Sequence, residues 1–487
     1  MNKIFNLFIT ILCLFAKNLH ACELHFSYDT ILAKINDFIN TALFFKIFGI
    51  PFIVLILSLG ALFFTLRFKF INIRLFKHAF AILVGKYDED HHEGDISHLQ
   101  AFASALSSTV GLGTVAGVAI AISLGGPGAV PWMMIAGFFG MSLKFSEVTL
   151  AFKYRTKNYD QLFSGPFKYM RYGLEEIGFK KLGIVLASIY ACLLILSGPL
   201  GSVAFQTNQM IAIILGNFDF IDNNIWLFSL IITALLGLVI IGGIERIAKV
   251  ASSLVPAMSI IYIFSCVVII IFNIDKLGDA FLLMFHGMLN AKSVGGGAVG
   301  AFVAGIRRAI FASEAGMGSA AITHAATKDE EPVRAGFVAM IEPCFDTMLI
   351  CCLTGLIIVI TGAYQYAGDG ILMTRKAFET VSWWFPILLT IAAPLFAFSS
   401  VVVFVYCCEM SWLYLFNAKS LIFYRIIVLV TAFFSGISKN IMNIAGIGDA
   451  LFICSAIINM VALLFLSNKI SDEVKLYLSK LKNQTAK

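Results

Sequence analysis

Charge is what this chain has least of. Asp, Glu, Lys and Arg make up 13% of its 487 residues, hydrophobic residues make up 59%, and mean hydropathy is +0.90. So little polar surface cannot cover a water-soluble globule of that size, which leaves lipid as the main solvent. Cysteine spacing carries no chemistry either. There is no C-x-x-C, and eight of the ten cysteines, at 192, 266, 344, 351, 352, 407, 408 and 454, lie in or beside apolar runs, as small packing residues do. Histidines are few and scattered, with His286 and His324 near core runs, so neither a catalytic triad nor a zinc pattern forms and the chain does not read as an enzyme. The stretch from Asp88 to Asp95 mixes His with carboxylates, yet consecutive ligands in a loop lack the i,i+4 spacing of a tight metal site, and it reads as a solvated linker. With no folded soluble domain to carry a basic face, the net charge of +6 does not point to nucleic acid.

What is present is a series of apolar runs. A window of about 19 residues finds stretches able to cross a hydrocarbon core of about 30 Å as helices. They fall near 44–66, 101–122, 131–152, 183–215, 226–244, 254–272, 298–320, 336–361, 384–408, 421–438 and 446–467, which predicts eleven spans. Basic residues alternate between the connections. Arg67, Lys69, Arg74, Lys77 and Lys86 follow the first span, and Lys153, Arg155, Lys157, Lys168, Arg171, Lys180 and Lys181 follow the third; Arg246, Lys249, Lys328 and Arg334 occupy later loops on the same side. The opposite loops at 125–128 and 217–224 hold none. By the positive-inside rule the basic tail 468–487 is cytoplasmic, and an odd span count puts the mature N-terminus outside. Lys3, the apolar run from Ile4 to Phe15 and the small residue ending Leu19-His20-Ala21 predict a cleaved signal peptide over 1–21; an uncleaved helix is the alternative, and His20 spoils a lipoprotein box.

Setting aside the first span leaves ten, which divide into five plus five, the arrangement of transporters built from inverted repeats. In that architecture the first helix of each half is broken near the midplane, where bare backbone groups can hold ions and zwitterions. Both breaks are legible. The first core span carries Ser107-Ser108-Thr109-Val110-Gly111-Leu112-Gly113-Thr114, and the sixth carries Gly295-Gly296-Gly297, Gly300, Gly305, Arg307, Arg308, Glu314 and Gly316. Close packing through small residues is the competing reading, and a dinucleotide loop is excluded because GLGTVAG follows no strand. The expected organisation is a signal peptide at 1–21; a periplasmic N-terminus, an extra transmembrane helix and a cytoplasmic linker over 22–97; a ten-helix core over 98–467 with halves at about 98–273 and 280–467; and the tail. A bacterial inner membrane is the expected location.

The residues also carry a family resemblance. The run from Thr109 to Arg155, SGPF at 164–167 with Tyr169, FASEAGMGSAAITHAA at 311–326, EPCFDTMLICCLTGLIIVITG at 342–362, and LFAFSS at 395–400 followed by Glu409 and YLF at 414–416 resemble, in order, blocks of the alanine or glycine to sodium symporters, the AGCS family. The resemblance extends over roughly 100–465. It implies an all-α LeuT-like fold and symport of sodium with a small neutral amino acid, with no cofactor beyond Na+ as the coupling ion.

The resemblance further implies that sodium is ligated by backbone at Ser107 and Val110 and by the hydroxyls of Ser399 and Ser400, oxygen ligands that suit a hard cation. The substrate carboxylate is expected at the amides of Gly111 to Gly113 beside Thr109, Leu112 and Thr114, where a half-helix presents its positive end. Gln206, in AFQTN, can donate to and accept from the ligand, though a bond to a neighbouring span is the other reading. Phe404 stands where the family usually has Trp and shares a helix face with Ser400. The family's GTGN here reads Gly111-Leu112-Gly113-Thr114, FSNEAG becomes Phe311-Ala312-Ser313-Glu314, and the Gly before the family Trp is Val403, so substrate preference does not carry over from better-matching relatives.

Intramembrane charges are costly unless paired or facing a cavity. Lys144 and Glu147, at i,i+3, are expected to pair with each other. Glu342 and Asp346, at i,i+4, are expected to support the fold or a gate through basic partners such as Arg307 or Arg308. Arg308, Glu314 and Glu409 complete the set of expected gating or structural charges. The identity of the amino acid (alanine, glycine, glutamine, serine or D-alanine), proton in place of sodium coupling, and a channel or transporter-derived sensor remain open at this level.

Overall fold

The computed structural model describes residues 46–47, 50–87, 97–158, 161–217, 224–240, 243–289, 297–366, 370–438 and 441–485, with isolated positions between 30 and 37. The expected signal peptide, the Asp88–Asp95 linker and Gly295-Gly296 lie outside the described residues. Among the described residues the fold is helical apart from two short antiparallel pairs, β1 (Lys46–Ile47) with β2 (Ile50–Pro51) and β3 (Thr156–Asn158) with β4 (Gln161–Phe163).

In chain order the helices are α1 (Phe52–Arg67), α2 (Phe76–Leu83), α3 (His98–Thr109), α4 (Ala116–Gly125), α5 (Ala129–Lys153), α6 (Lys180–Ser197), α7 (Ala204–Leu215), α8 (Ile225–Ile240), α9 (Gly243–Phe272) and α10 (Leu277–Leu289). Then come α11 (Gly297–Ser313), α12 (Ser319–His324), α13 (Pro332–Met340), α14 (Cys352–Ile360), α15 (Ile371–Glu379), α16 (Pro386–Leu415), α17 (Leu421–Ile437) and α18 (Ile441–Thr485). Wide-turned π segments, Gly198–Val203 and Cys344–Cys351, join α6 to α7 and lead from α13 into α14. Among the described residues seven stretches are long and apolar enough to cross a membrane: Ala129–Lys153, Lys180–Leu215, Leu254–Phe272, Pro332–Ile360, Pro386–Leu415, Ala418–Ile437 and Asn443–Asn483. The chain is a multi-pass membrane protein. Of the other expected spans, those near 44–66 and 226–244 are the shorter helices α1 and α8, and those near 101–122 and 298–320 are each two helices with a gap.

Lipid-facing and protein-facing helices differ as lipid solvation requires. α9 exposes Ile260, Phe264, Ile271 and Phe272 at 62–67%, a stripe with no place in water. α4 is apolar on every side and buried through Val118, Ala119, Ile120 and Ala121, so it forms the centre. Around it, α11 packs along α4 and α5, and α13 and α12 pack on α5; α16 packs on α3, α9, α6 and α7.

The breaks have local causes. Ser97 starts α3 with a reciprocal cap to Gln100, and the helix runs until Val110, whose ψ of 70° leaves the helical region just before Gly111. α11 stops at Ser313. Glu314 has φ 53°, Gly316 88° and Gly318 89°, and the chain re-enters a helix only at Ser319. At Gly318 a side chain is barred twice, by the left-handed φ and by Pro166, whose Cγ would lie 2.3 Å from a Cβ. The second break therefore falls at 314–318, at the C-terminal end of the glycine-rich stretch.

Candidate functional site

Three groups converge on Gly111 in the unwound stretch 110–115. The Leu112 N–H donates to Gln206 Oε1 at 2.8 Å, Gln206 Nε2 donates to Ser400 Oγ at 3.1 Å, and Ser400 Oγ donates to the Ser108 carbonyl at 2.6 Å. Each of these residues is at most 4% exposed. Glycine is required at 111 by this approach, because a Cβ would stand 2.5 Å from Gln206 Nε2 and 2.7 Å from Ser400 Oγ. Three carbonyls released by the break are also satisfied. Thr114 Oγ1 donates to the Gly111 carbonyl at 2.8 Å, Thr354 Oγ1 to the Thr114 carbonyl at 2.9 Å, and Thr374 Oγ1 to the Val115 carbonyl at 3.3 Å.

The two breaks meet at Glu314. Its Oε2 accepts from Ser319 Oγ and lies 3.4 Å from Ser108 Oγ on the last turn of α3, a hydroxyl whose shorter bond goes to the Ala105 carbonyl at 2.8 Å. An unbroken chain of polar contacts thus runs from Leu112 through Gln206, Ser400 and Ser108 to Glu314. Of the residues expected to meet a cation, Ser400 belongs to this chain of contacts, and Ser107 and Ser399 are the sequence neighbours of two of its members. Ser107 Oγ is buried without a hydrogen-bond partner, and Ser399 Oγ donates to the Phe396 carbonyl at 3.1 Å. Thr109 Oγ1 donates to the Leu106 carbonyl at 3.2 Å. Hydroxyls and carbonyls of this kind suit a hard monovalent cation. Among the described residues no group of three or more His, Cys, Asp or Glu could hold a metal ion.

An aromatic wall closes one side. Phe404 stacks on Phe452 with centroids 5.2 Å apart, Phe452 on Phe311 at 4.8 Å, and Phe205 meets Phe311 edge-on at 4.9 Å. Arg308 lies over the Phe311 ring at 5.2 Å and donates to Asp449 at 2.8 Å. α15 covers another end: its Ile371 N–H donates to Gln209 Oε1 at 2.8 Å, and Thr374 reaches Val115 as above. At the start of α3, His98 Nε2 and Asp329 Oδ2 are 2.8 Å apart, both groups 1–2% exposed, and Arg155 donates to the carbonyls of Thr327 and Asp329. Burial alone would raise the Asp329 carboxyl. The hydrogen bond to His98, the Glu331 N–H and the charge of Arg334 outweigh it and hold the group below the usual carboxylate range.

The expected charge pairs are corrected. Lys144 meets Glu342 at 2.5 Å, not Glu147, because α13 packs against α5 and delivers Glu342 to it. Glu147 Oε1 instead accepts from Asn459 Nδ2 at 2.8 Å. Glu342 also meets His324 Nε2 at 2.6 Å, whereas Arg307 and Arg308 both turn to Asp449, at 3.5 and 2.8 Å, on α18. Asp346 Oδ1 accepts from Thr347 at 2.5 Å. Glu409 forms a forked pair with Arg425 at 2.6 and 2.9 Å and joins α16 to α17. Sequence reasoning passed over Asp449, Asn459, Gln209, Thr354, Thr374 and Phe452. Asp449 carried a usable signal, a lone carboxylate in an apolar span; the hydroxyls and amides are common in such helices and carried none.

Comparison with known proteins bears on this geometry. The model of the sodium:alanine symporter family matches residues 30–487. The sodium/alanine symporter AgcS of Methanococcus maripaludis is 35% identical over 445 residues, covering 90% of this chain and 96% of that protein. The chain belongs to the sodium:alanine symporter family. Other similar members include the amino-acid carrier protein AlsT of Bacillus subtilis, 34% identical with 89% and 88% covered, and the probable sodium/glutamine symporter GlnT of the same organism, 33% identical with 87% of each covered. In this symporter-family member the positions expected to differ from the family's pattern have local partners. Thr114 bonds back to Gly111, Ser313 Oγ donates to the Ala309 carbonyl at 2.8 Å, and Phe404 enters the aromatic stack.

Proposed function

We propose that this protein is a sodium-coupled symporter that imports a small neutral amino acid, alanine or glycine, across a bacterial inner membrane by alternating access. Its core is an inverted five-plus-five repeat of LeuT-like kind preceded by one extra span, eleven in all, with the mature N-terminus outside and the basic tail in the cytoplasm. The observation that carries this reading is the meeting of two broken helices at Gly111 and Glu314, with Gln206 and Ser400 converging on the first. Such breaks offer unpaired-backbone positions for a zwitterion and oxygen positions for sodium side by side.

In this reading the substrate carboxylate sits at the amides of Gly111 to Gly113, near Thr109, Thr114 and Gln206, with Phe404 along the apolar side. Sodium sits among the Ser107 and Val110 backbone and the Ser399 and Ser400 hydroxyls. Arg308, Glu314, Glu342, Asp346 and Glu409 hold the helices around the pathway. Opening to either side separates α15 from α4 and α7, or His98 from Asp329. Uptake of labelled alanine into proteoliposomes, with and without an inward sodium gradient, tests the proposal; equal uptake in both would refute sodium coupling. A panel of unlabelled competitors, glutamine, serine and D-alanine among them, identifies the substrate, since pockets of this kind discriminate to about a methylene.

A further inference from the structure

Gln206 occupies two positions at once. Its Oε1 takes the Leu112 N–H at 2.8 Å, where the substrate carboxylate is expected, and its Nε2 points at Ser400 Oγ at 3.1 Å, the hydroxyl expected to meet sodium. These residues are 0–3% exposed, so water does not substitute for either contact. The one proton of Ser400 is committed to the Ser108 carbonyl at 2.6 Å, which leaves only lone pairs to face Gln206 or a cation. A primary amide is a neutral side chain that can accept at one end and donate at the other; Leu can do neither, and a carboxylate can only accept.

We infer that Gln206 is the residue that couples sodium to substrate, by standing in for the substrate carboxylate when the site is empty. The inference rests on the symport reading above. A cation at Ser400 Oγ repels the Nε2 hydrogens that face the same oxygen. Once that anchor is lost the amide turns, Oε1 leaves the Leu112 N–H, and the freed donor takes a carboxylate in a charge-assisted bond stronger than the neutral one it replaces. The turned amide can then offer Nε2 to the same carboxylate. The coupling is reciprocal: a carboxylate on Leu112 displaces Oε1 and releases Ser400 to sodium by the same factor. Neither ligand alone finds both positions free, which is what a symporter needs to limit uncoupled flux.

The test uses the purified full-length chain in phospholipid nanodiscs, with equilibrium binding of labelled alanine in sodium chloride and in choline chloride. Wild type is expected to bind alanine about tenfold or more tighter in sodium. Gln206→Leu, close in size but without donors or acceptors, should bind alanine tighter than wild type in choline, with the sodium-to-choline ratio falling toward one. Gln206→Ala should move in the same direction. Equal loss of affinity in both media, with the ratio intact, would overturn the inference and leave Gln206 as a substrate contact only. Hydrogen exchange over 108–116, without amino acid or sodium, reads the cap independently of binding: the Leu112 amide should exchange faster in Gln206→Leu, and unchanged exchange also overturns the inference. Wild type that binds no small neutral amino acid in sodium would instead refute the symport reading itself.

Discussion

Glu342→Gln puts the buried centre under the most direct strain. Glu342 stands between Lys144 Nζ at 2.5 Å and His324 Nε2 at 2.6 Å, and all three side chains are 0% exposed. The substitution preserves size and removes the charge, leaving the Lys144 ammonium without its contacting counter-ion. Removing one partner of a buried pair costs about 3–5 kcal/mol. Asp346 and Glu314 remain within longer electrostatic reach of the same ammonium, which puts the expectation at the lower end, about 3 kcal/mol. That is more than a hundredfold in the folded-to-unfolded ratio. Adding Lys144→Met removes the stranded charge, and the double variant should recover most of the loss, because neutral packing in place of a buried pair is often tolerated. Denaturant or thermal unfolding of the purified protein measures all three forms. If Glu342→Gln unfolds with wild type, or the double variant is no more stable than the single one, the pair does not hold the centre together.

Gly111→Ala should lower alanine uptake by about tenfold to a hundredfold with the protein still inserted, since a Cβ 2.5 Å from Gln206 Nε2 overpacks the site by about 1–3 kcal/mol; wild-type uptake would remove the convergence at Gly111 from the mechanism. Ser400→Ala should raise the sodium concentration for half-maximal uptake by about tenfold if its oxygen is a ligand, and an unchanged sodium response excludes it. Asp329 is held below the usual carboxylate range, so its contribution to stability is fully present above the ordinary Asp value of about 3.9 and is lost as pH falls through the lower folded value. Hydrogen exchange over 325–334 should therefore stay slow at pH 5 and rise only in stronger acid. Asp329→Asn should exchange faster at neutral pH with less acid dependence; identical profiles would mean that the His98 contact contributes nothing.

The helices that face lipid were the easiest part to read, because hydropathy over about 19 residues tests the one property lipid selects. The first break was legible too, since Gly111 and Gly113 amid Ser107, Ser108 and Thr109 weaken a helix wherever it packs. The second was harder to place. Its glycines are spread over a long stretch, and only the backbone at Glu314, Gly316 and Gly318 shows which of them leave the helix. The pairing of charges was misread for a related reason. Spacing along α5 puts Lys144 and Glu147 on one face, yet spacing says nothing about what a neighbouring helix brings to that face, and Glu342 arrives from just past the end of α13. α2, α10 and α15 were unannounced because short helices in connections have neither the length nor the unbroken apolar character that the window measures.

Composition and pattern alone determined that this chain lives in a membrane, where its long helices run, and that its first core helix is interrupted, because these follow from solvent preference and local backbone freedom. The placement of Gln206 between Leu112 and Ser400, of Glu314 between the two breaks, and of Lys144 against Glu342 and His324 belongs to the tertiary structure. Those contacts join residues from 18 to 206 positions apart, and only the packing of helices from separate parts of the chain selects, among many buried hydroxyls, amides and charges, which ones meet.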